Sequence, residues 1–256
     1  ELLKNFIHLD TKGKFYLSKT NAYINEFLKN EKKENSDIIE IHNRPAYLKQ
    51  IKRFTKSKIV LYFHNDPLSM KGSTNLFDRI NIIKNSDRII FNSNWCKQRF
   101  LKNLKSYKNN ENLLVIQQST SKTKINFNKK KKIISFVGRL NSSKGYDAFG
   151  KAVIKILNKF NSWKAIVIGD EPREEHIFNH PRLKLYGFKS NKFILNKLKL
   201  VSIAVVPSRW NEPFGRSSLE ASSRGCALII SNKGGLKETT NKALIINEIN
   251  EKKIFN

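Results

Sequence analysis

Two carboxylates separated by seven residues are the sharpest chemical feature of the sequence. They are Glu212 and Glu220, within Pro207–Gly225 (PSRWNEPFGRSSLEASSRG). Glu212 precedes Pro213-Phe214-Gly215, which reads as a strand-to-helix turn, and Glu220 falls on the helix that follows. The first turn of such a helix offers unpaired N–H groups and a positive dipole end, a ready site for an anion. Gly215 lets the backbone there be approached closely. A second segment, Phe136–Gly145 (FVGRLNSSKG), ends a strand at Gly138 and carries two cations, Arg139 and Lys144, ahead of a helix. Alone in a Lys-rich chain, those two cations read as solvated surface charges. A third, Phe63–Pro67 (FHNDP), ends another strand with His64, Asn65 and Asp66. A lone histidine is ordinarily satisfied at a sheet edge, and Asp66 equally suits a turn cap. Ile41–Pro45 (IHNRP) sets Asn43 and Arg44 at a further strand end, with Pro45 fitted to open a helix. Asn232–Glu238 (NKGGLKE) adds a turn with Gly234 and Gly235, and Ser93 in FNSNW closes one more strand.

Positioning these groups requires strands that end where the motifs begin. Apolar runs at 37–42, 58–63, 88–91 and 113–117 read as strands, with helical stretches at 46–54, 76–85 and 95–104 between them. Strands alternating with helices of this length predict parallel sheets with right-handed crossovers. Residues 119–132 are polar and read as an interdomain linker. A second series follows, with strands at 133–137, 165–168, 183–186, 202–206, 227–230 and 244–246. Tyr146, Phe149, Val153, Ile156, Leu157 and Phe160 recur at helical spacing, so 144–160 is predicted as an amphipathic helix. Helices are also predicted at 193–200 and 216–224, and one starting at 236–240. The expected fold class is α/β: two Rossmann-like, doubly wound domains facing a cleft, at 1–124 and 125–256. Ligands in such sheets bind beyond the carboxyl ends of the strands, and the cleft between two such domains is the natural site.

Taken together the segments resemble the retaining glycosyltransferases of the GT-B fold in glycosyltransferase family 4 (glycosyl transferases group 1). The carboxylate pair is similar to that family's E-x7-E motif, and Gly138–Gly145 resembles its G-R-x4-K-G motif. The resemblance implies that Glu220 bonds the ribose hydroxyls of a nucleotide. It implies that Glu212, with Phe214, Gly215 and Arg216, meets the donor sugar. Gly138, Arg139 and Lys144 would hold the donor diphosphate, where fixed cations stabilise the charge of a departing group. Gly234 and Gly235 resemble the family's G-G-L-P-E turn, with Lys237 in place of its Pro, and would admit the nucleotide base or phosphate. His64 would lie near the donor sugar and the acceptor. Asn43, Arg44, Asn65, Asp66 and Ser93 would face the acceptor side. Retention at the anomeric carbon is implied, without a cofactor, and the sequence has no D-x-D motif that would bring in a metal ion. The family's first strand with its Gly-rich turn, and its closing C-terminal helix, have no counterpart here. The chain also lacks an initiator Met, so it reads as a fragment.

Charge and cysteines bound the remaining readings. The 256 residues carry a net charge of +28. The excess is mostly Lys and is spread along the chain, with one run at 129–132. Without a binding motif this does not make nucleic acid a specific partner. Attraction to an anionic membrane surface or anionic substrates fits better. Cys96 and Cys226 exclude a disulfide-rich scaffold and a Cys-based zinc site and suit a reducing compartment. No 18-residue apolar run and no signal-peptide pattern occur in the sequence. The expected partners are a nucleotide sugar and a glycan or lipid-linked acceptor, with a cytoplasmic location at the inner membrane face, in surface polysaccharide or lipopolysaccharide synthesis. Competing readings are a sugar-nucleotide binder without turnover, a basic nucleic-acid binder and a sugar-nucleotide epimerase.

Overall fold

The computed structural model describes residues 19–255. The described residues divide into two compact units: 19–92 with 96–116, and 93–95 with 117–255.

The first unit runs α1 (Lys19–Glu34), β1 (Ile38–His42), α2 (Leu48–Phe54), β2 (Lys58–Phe63), α3 (Leu76–Asn85), β3 (Arg88–Phe91), α4 (Asn94–Phe100) and β4 (Leu113–Val115). Among the described residues its strands form one parallel sheet in the order β1-β2-β3-β4. Alternate residues of β2 are buried, Ile59, Leu61 and Phe63, as the two-residue strand period dictates. Phe63, Phe91 and Phe100 meet with ring centroids 5.2–5.5 Å apart and seal the core under the carboxyl ends of β2 and β3. Helix α1 had no counterpart among the sequence predictions. Its buried positions include Glu26 and Glu31 as well as Ala22, Ile24 and Leu28, which dilutes the apolar signal. The Glu31 carboxylate accepts from Ser36 N–H, Ser36 Oγ and Ser57 Oγ, satisfying its burial. The predicted helix at 95–104 ends at Phe100, and a 3-10 turn at Pro45–Tyr47 precedes α2.

The second unit runs β5 (Lys131–Val137), α5 (Tyr146–Lys159), β6 (Lys164–Ile168), β7 (Leu183–Leu185), α6 (Asn191–Leu198), β8 (Val201–Val206), α7 (Arg216–Ser223), β9 (Ala227–Ser231), β10 (Ala243–Ile246) and α8 (Glu251–Phe255). Its parallel strands are ordered β10-β9-β8-β5-β6-β7. The chain therefore winds outward from β5 in one direction and restarts from β8 in the other. That creates a topological switch point between β5 and β8. Both faces are covered, as an all-parallel sheet requires. Ile134, Phe136, Ala165 and Val167 pack with Phe149, Val153 and Leu157 of α5. Ile166, Ile168 and Ala204 pack with Leu198 and Ala221 of α6 and α7 on the other face. The chain is thus α/β with parallel sheets, as expected from the sequence.

Two local predictions are corrected. The stretch at 119–132 is not wholly linker: β5 starts at Lys131, and Lys130 is drawn inward. The Lys130 ammonium donates to the carbonyls of Leu198, Val201 and Arg224 at 3.1, 2.6 and 2.7 Å. The predicted helix from 236 is a 3-10 helix, Gly234–Thr239. No helix among the described residues is long and apolar enough to cross a membrane.

Candidate functional site

The loops leaving β5 and β8 are stitched together at the switch point. Arg209 N–H and Trp210 N–H both donate to Ser143 O, at 2.9 and 3.0 Å. The Arg209 guanidinium bonds Ser142 O and pairs with Asp147. Ser231 Oγ, at the end of β9, donates to Ser208 O at 2.6 Å. The turn after β5 is capped by Asn141, whose side chain accepts from Lys144 N–H at 3.0 Å. Gly145 follows at φ 72°, and a Cβ there would lie 2.0 Å from Pro207 O. Only glycine lets the start of α5 sit this close to the end of β8.

Within this frame Lys144 and Glu212 meet. Lys144 Nζ lies 2.5 Å from Glu212 Oε1, with side chains 23% and 12% exposed. The backbone of Glu212 is held from the other side. Gly235 N–H donates to Glu212 O at 2.7 Å. Cβ atoms on Gly234 and Gly235 would lie 2.2 Å from Glu212 O and 2.4 Å from Pro213 O. The two glycines thus make room for the Glu212–Pro213 main chain, not for open space beside it. Gly215 is filled in the same way: a Cβ there would meet Leu236 Cδ1 at 2.4 Å, and Phe214 is buried. Gly215, at φ 117°, leads into α7. About one turn into α7, Glu220 is buried and accepts from Asn191 at 2.8 Å and Arg216 at 3.2 Å, both at Oε1. Arg216 itself is mostly exposed.

Gly138 continues the sheet, its N–H donating to Ile168 O. Arg139 beside it is exposed. Both line a cavity of about 410 Å³ with Gly169, Asp170, Phe188, Lys189 and Ile194. Lys144 and Glu212 lie outside that lining. Ser93 falls in the second unit, fully buried, and its hydroxyl donates to Pro213 O at 2.5 Å. Next to the capping turn, Glu171 pairs with Arg173 and accepts from Asn141. The guanidinium is the largest influence on this carboxyl and holds it down to about 2.

The first unit gathers a second group of side chains at the carboxyl ends of β1 and β2. His64 is pinned by its backbone. Its N–H donates to Asn43 Oδ1 at 2.8 Å, and its carbonyl accepts from Asn92 Nδ2 at 2.9 Å. Asn43 takes a left-handed conformation, φ 54°, which asparagine tolerates. Asp66 caps Leu68 N–H and pairs with Arg99 at 2.8 Å, so its carboxylate is taken up in holding the loop. Arg44 and Asn65 are exposed, and Arg44 bonds the Asn43 carbonyl. The His64 ring is held by residues outside the predicted site. Its Nε2 lies 2.9 Å from His42 Nδ1, and His42 Nε2 lies 3.3 Å from Glu40 Oε2. Tyr62 donates to Glu40 Oε1 at 3.2 Å, and the His42, Tyr62 and His64 rings are stacked. Burial, and then the charge of His42, push the His64 pKa down; burial and Glu40 push Tyr62 up. The signal for this cluster lay in the repeat of H-N-x-P at 42–45 and 64–67, two strand ends that lie side by side. Asn191, the partner of Glu220, carried no such signal, because it comes from a different helix.

A family model described as Glycosyl transferases group 1 matches residues 117–249. YtcC of Bacillus subtilis, named as a glycosyltransferase, is 24% identical over 277 residues, covering 95% of this chain and 68% of its own length. The lipopolysaccharide core biosynthesis mannosyltransferase LpcC of Rhizobium leguminosarum is 29% identical over 117 residues, 41% of this chain and 33% of its own. Anabaena HepE, in a crystal structure with UDP and glucose, matches with a TM-score of 0.70 and 18% identity, over 91% of this chain and 70% of that one. The structural neighbours are GT-B glycosyltransferases.

Proposed function

The chain belongs to the glycosyl transferases group 1 family, and on that premise we propose that it transfers a sugar from a nucleotide-diphosphate donor with retention of anomeric configuration, by the family 4 mechanism. The donor binds on the second unit, beyond the ends of β5 and β8. The observation that carries this reading is the meeting of Lys144 and Glu212 at the switch point, 2.5 Å apart, where open α/β sheets take their ligands. Arg139 and Lys144 are the cations that meet the diphosphate, and Glu220 meets the ribose through Oε2, its side-chain bonds to Asn191 and Arg216 both falling on Oε1. Glu212, with the turn Phe214-Gly215-Arg216 behind it, meets the sugar. The UDP and glucose of the HepE crystal structure support a uridine nucleotide as the first donor to test.

In this scheme the bond between the anomeric carbon and the diphosphate oxygen breaks, its electron pair leaving with the diphosphate. The acceptor hydroxyl oxygen bonds the same face of that carbon, and its proton passes to the departing phosphate. Fixed cations favour this step because they are aimed at charge that develops only as the bond breaks. His64 is the residue proposed to orient the reacting groups. The acceptor is a glycan or lipid-linked sugar of surface polysaccharide or lipopolysaccharide synthesis, a reading supported by the name of LpcC. Cytoplasmic action at an anionic membrane surface accords with the net charge of +28.

Calorimetric titration with UDP, GDP and ADP tests the donor site. Selective binding that is lost in Lys144→Ala and in Glu220→Ala is the expected result. Equal binding by both variants would overturn the assignment. A product of inverted configuration, read by NMR at the anomeric proton, would overturn retention.

A further inference from the structure

The side chains around His64 form a chain of hydrogen bonds whose direction can be deduced. Glu40 and His42 alternate along β1, and Tyr62 and His64 continue the line of β2, with His42 paired to Tyr62 in the parallel register. All four therefore stand on the same face of the sheet. Glu40 is at one end, and an ionised carboxylate can only accept. His42 Nε2, 3.3 Å from Glu40 Oε2, must then carry a hydrogen. In a neutral imidazole the other nitrogen is the acceptor. His42 Nδ1 consequently accepts, and His64 Nε2, 2.9 Å away, donates. That leaves His64 Nδ1 as a bare lone pair, and this atom is buried without a hydrogen-bond partner among the described residues.

We propose that Glu40 and His42 form a relay that fixes the proton of His64 on Nε2, which makes His42 a positioning residue for His64. The relay runs His64 Nε2–H to His42 Nδ1, then His42 Nε2–H to Glu40 Oε2, while the Tyr62 hydroxyl occupies Glu40 Oε1. The planes of the three rings lie within 2–11° of one another, and those of His42 and His64 within 2°, which suits a bond between ring nitrogens 2.9 Å apart. The reverse direction needs a doubly protonated His42 and forces a hydrogen onto His64 Nδ1. That buried N–H would have no acceptor among the described residues, which is unfavourable. For transfer, the relay implies that His64 acts as a neutral, oriented hydrogen-bonding group and not as a proton donor. That implication alone rests on the proposed function; the proton assignment does not.

Long-range proton–nitrogen NMR on the histidine-labelled full chain reads the tautomer directly, with His64→Gln identifying the His64 signals. At neutral pH, Nε2 of His64 is expected to be pyrrole-like and Nδ1 pyridine-like. His42→Phe keeps a stacked ring and removes the acceptor, so the two His64 nitrogen signals should shift toward averaged values. Glu40→Ala should do the same, whereas Glu40→Gln, which still offers an oxygen to His42 Nε2–H, should restore the fixed pattern. A hydrogen on His64 Nδ1 in the unaltered protein, a measurement that needs no variant, would overturn the relay. So would an unchanged His64 pattern in folded His42→Phe. Neither result depends on nucleotide binding, so failure of the relay and failure of the donor site are separately visible.

Discussion

Lys144 and Glu212 are 68 residues apart in sequence and 2.5 Å apart in space, one on the turn after β5 and the other on the turn after β8. Their pairing is the narrowest expression of the switch-point topology. It also means that Lys144, proposed above to meet the diphosphate, is paired with a carboxylate in this structure. Lys144→Met should leave Glu212, which is 12% exposed, without its counter-charge. An intermediate burial of this kind sets the expected loss at about 1–3 kcal/mol, read from urea midpoints. Affinity for UDP should fall roughly 10–100-fold in the same variant, since a charge-assisted contact to phosphate is removed.

The support of Glu212 by the Gly234-Gly235 turn gives a second expectation. Gly234→Ala has to place a Cβ 2.2 Å from Glu212 O at φ 61°. The strain is relieved only by moving the turn or the Glu212 backbone. A loss of about 2–4 kcal/mol is expected, and UDP affinity should drop with it, although neither glycine need touch nucleotide. Gly187→Ala is the comparison: its φ is 65° but its Cβ would meet nothing. That variant should lose only about 1 kcal/mol and bind normally.

These two pairs also mark where the sequence was legible. E-x7-E and G-R-x4-K-G could be placed at the ends of β8 and β5 because each motif follows a strand, and strand ends are readable from short apolar runs. The strands at 58–63 and 88–91 stand as predicted for the same reason. What held Glu212 in place was not legible, because Lys144, Gly234 and Gly235 reach it from separate loops. Gly234 and Gly235 suggested space for a ligand, whereas that space holds the protein's own backbone. Helix α1 was hidden by acidic residues at buried positions, and the Glu40–His42–His64 chain by its division between two strands. A partner contributed by another element leaves no periodicity for a sequence pattern to reveal.

His64 sets a pH dependence with a definite sign. Its folded pKa lies below the ordinary histidine value of about 6.5, so the unfolded chain binds the proton more readily. Stability then rises with pH wherever the unfolded state holds more protons. The contribution of His64 is complete above about pH 6.5 and is lost as pH falls through the depressed folded value. The groups facing the ring are Glu40, His42 and Tyr62. In urea titrations at pH 8 and pH 5, the unaltered chain should lose more stability on acidification than His64→Gln does. Equal losses in the two proteins would remove His64 from the acid response.

Lys130 provides the clearest separation of a structural lysine from a solvated one. It stands in the run at 129–132, yet its ammonium donates to three backbone carbonyls, those of Leu198, Val201 and Arg224. These carbonyls lie at the end of α6, at the first residue of β8 and just beyond α7, so one side chain closes three element ends at the pole of the sheet opposite the switch point. Burial pulls its pKa below the usual lysine value, as expected where the charged form is retained by hydrogen bonds and not by a carboxylate. Lys130→Met keeps much of the length of the stem and removes the donor. Carbonyls left short of a partner in a half-buried site should lower stability by about 1–3 kcal/mol. Lys129→Met, one residue earlier on an exposed side chain, should change it by no more than about 0.5 kcal/mol. Similar urea midpoints for the two variants would return Lys130 to the solvated surface. A selective loss in Lys130→Met, with UDP binding intact wherever the chain is folded, would mark it as a structural cation remote from the donor site.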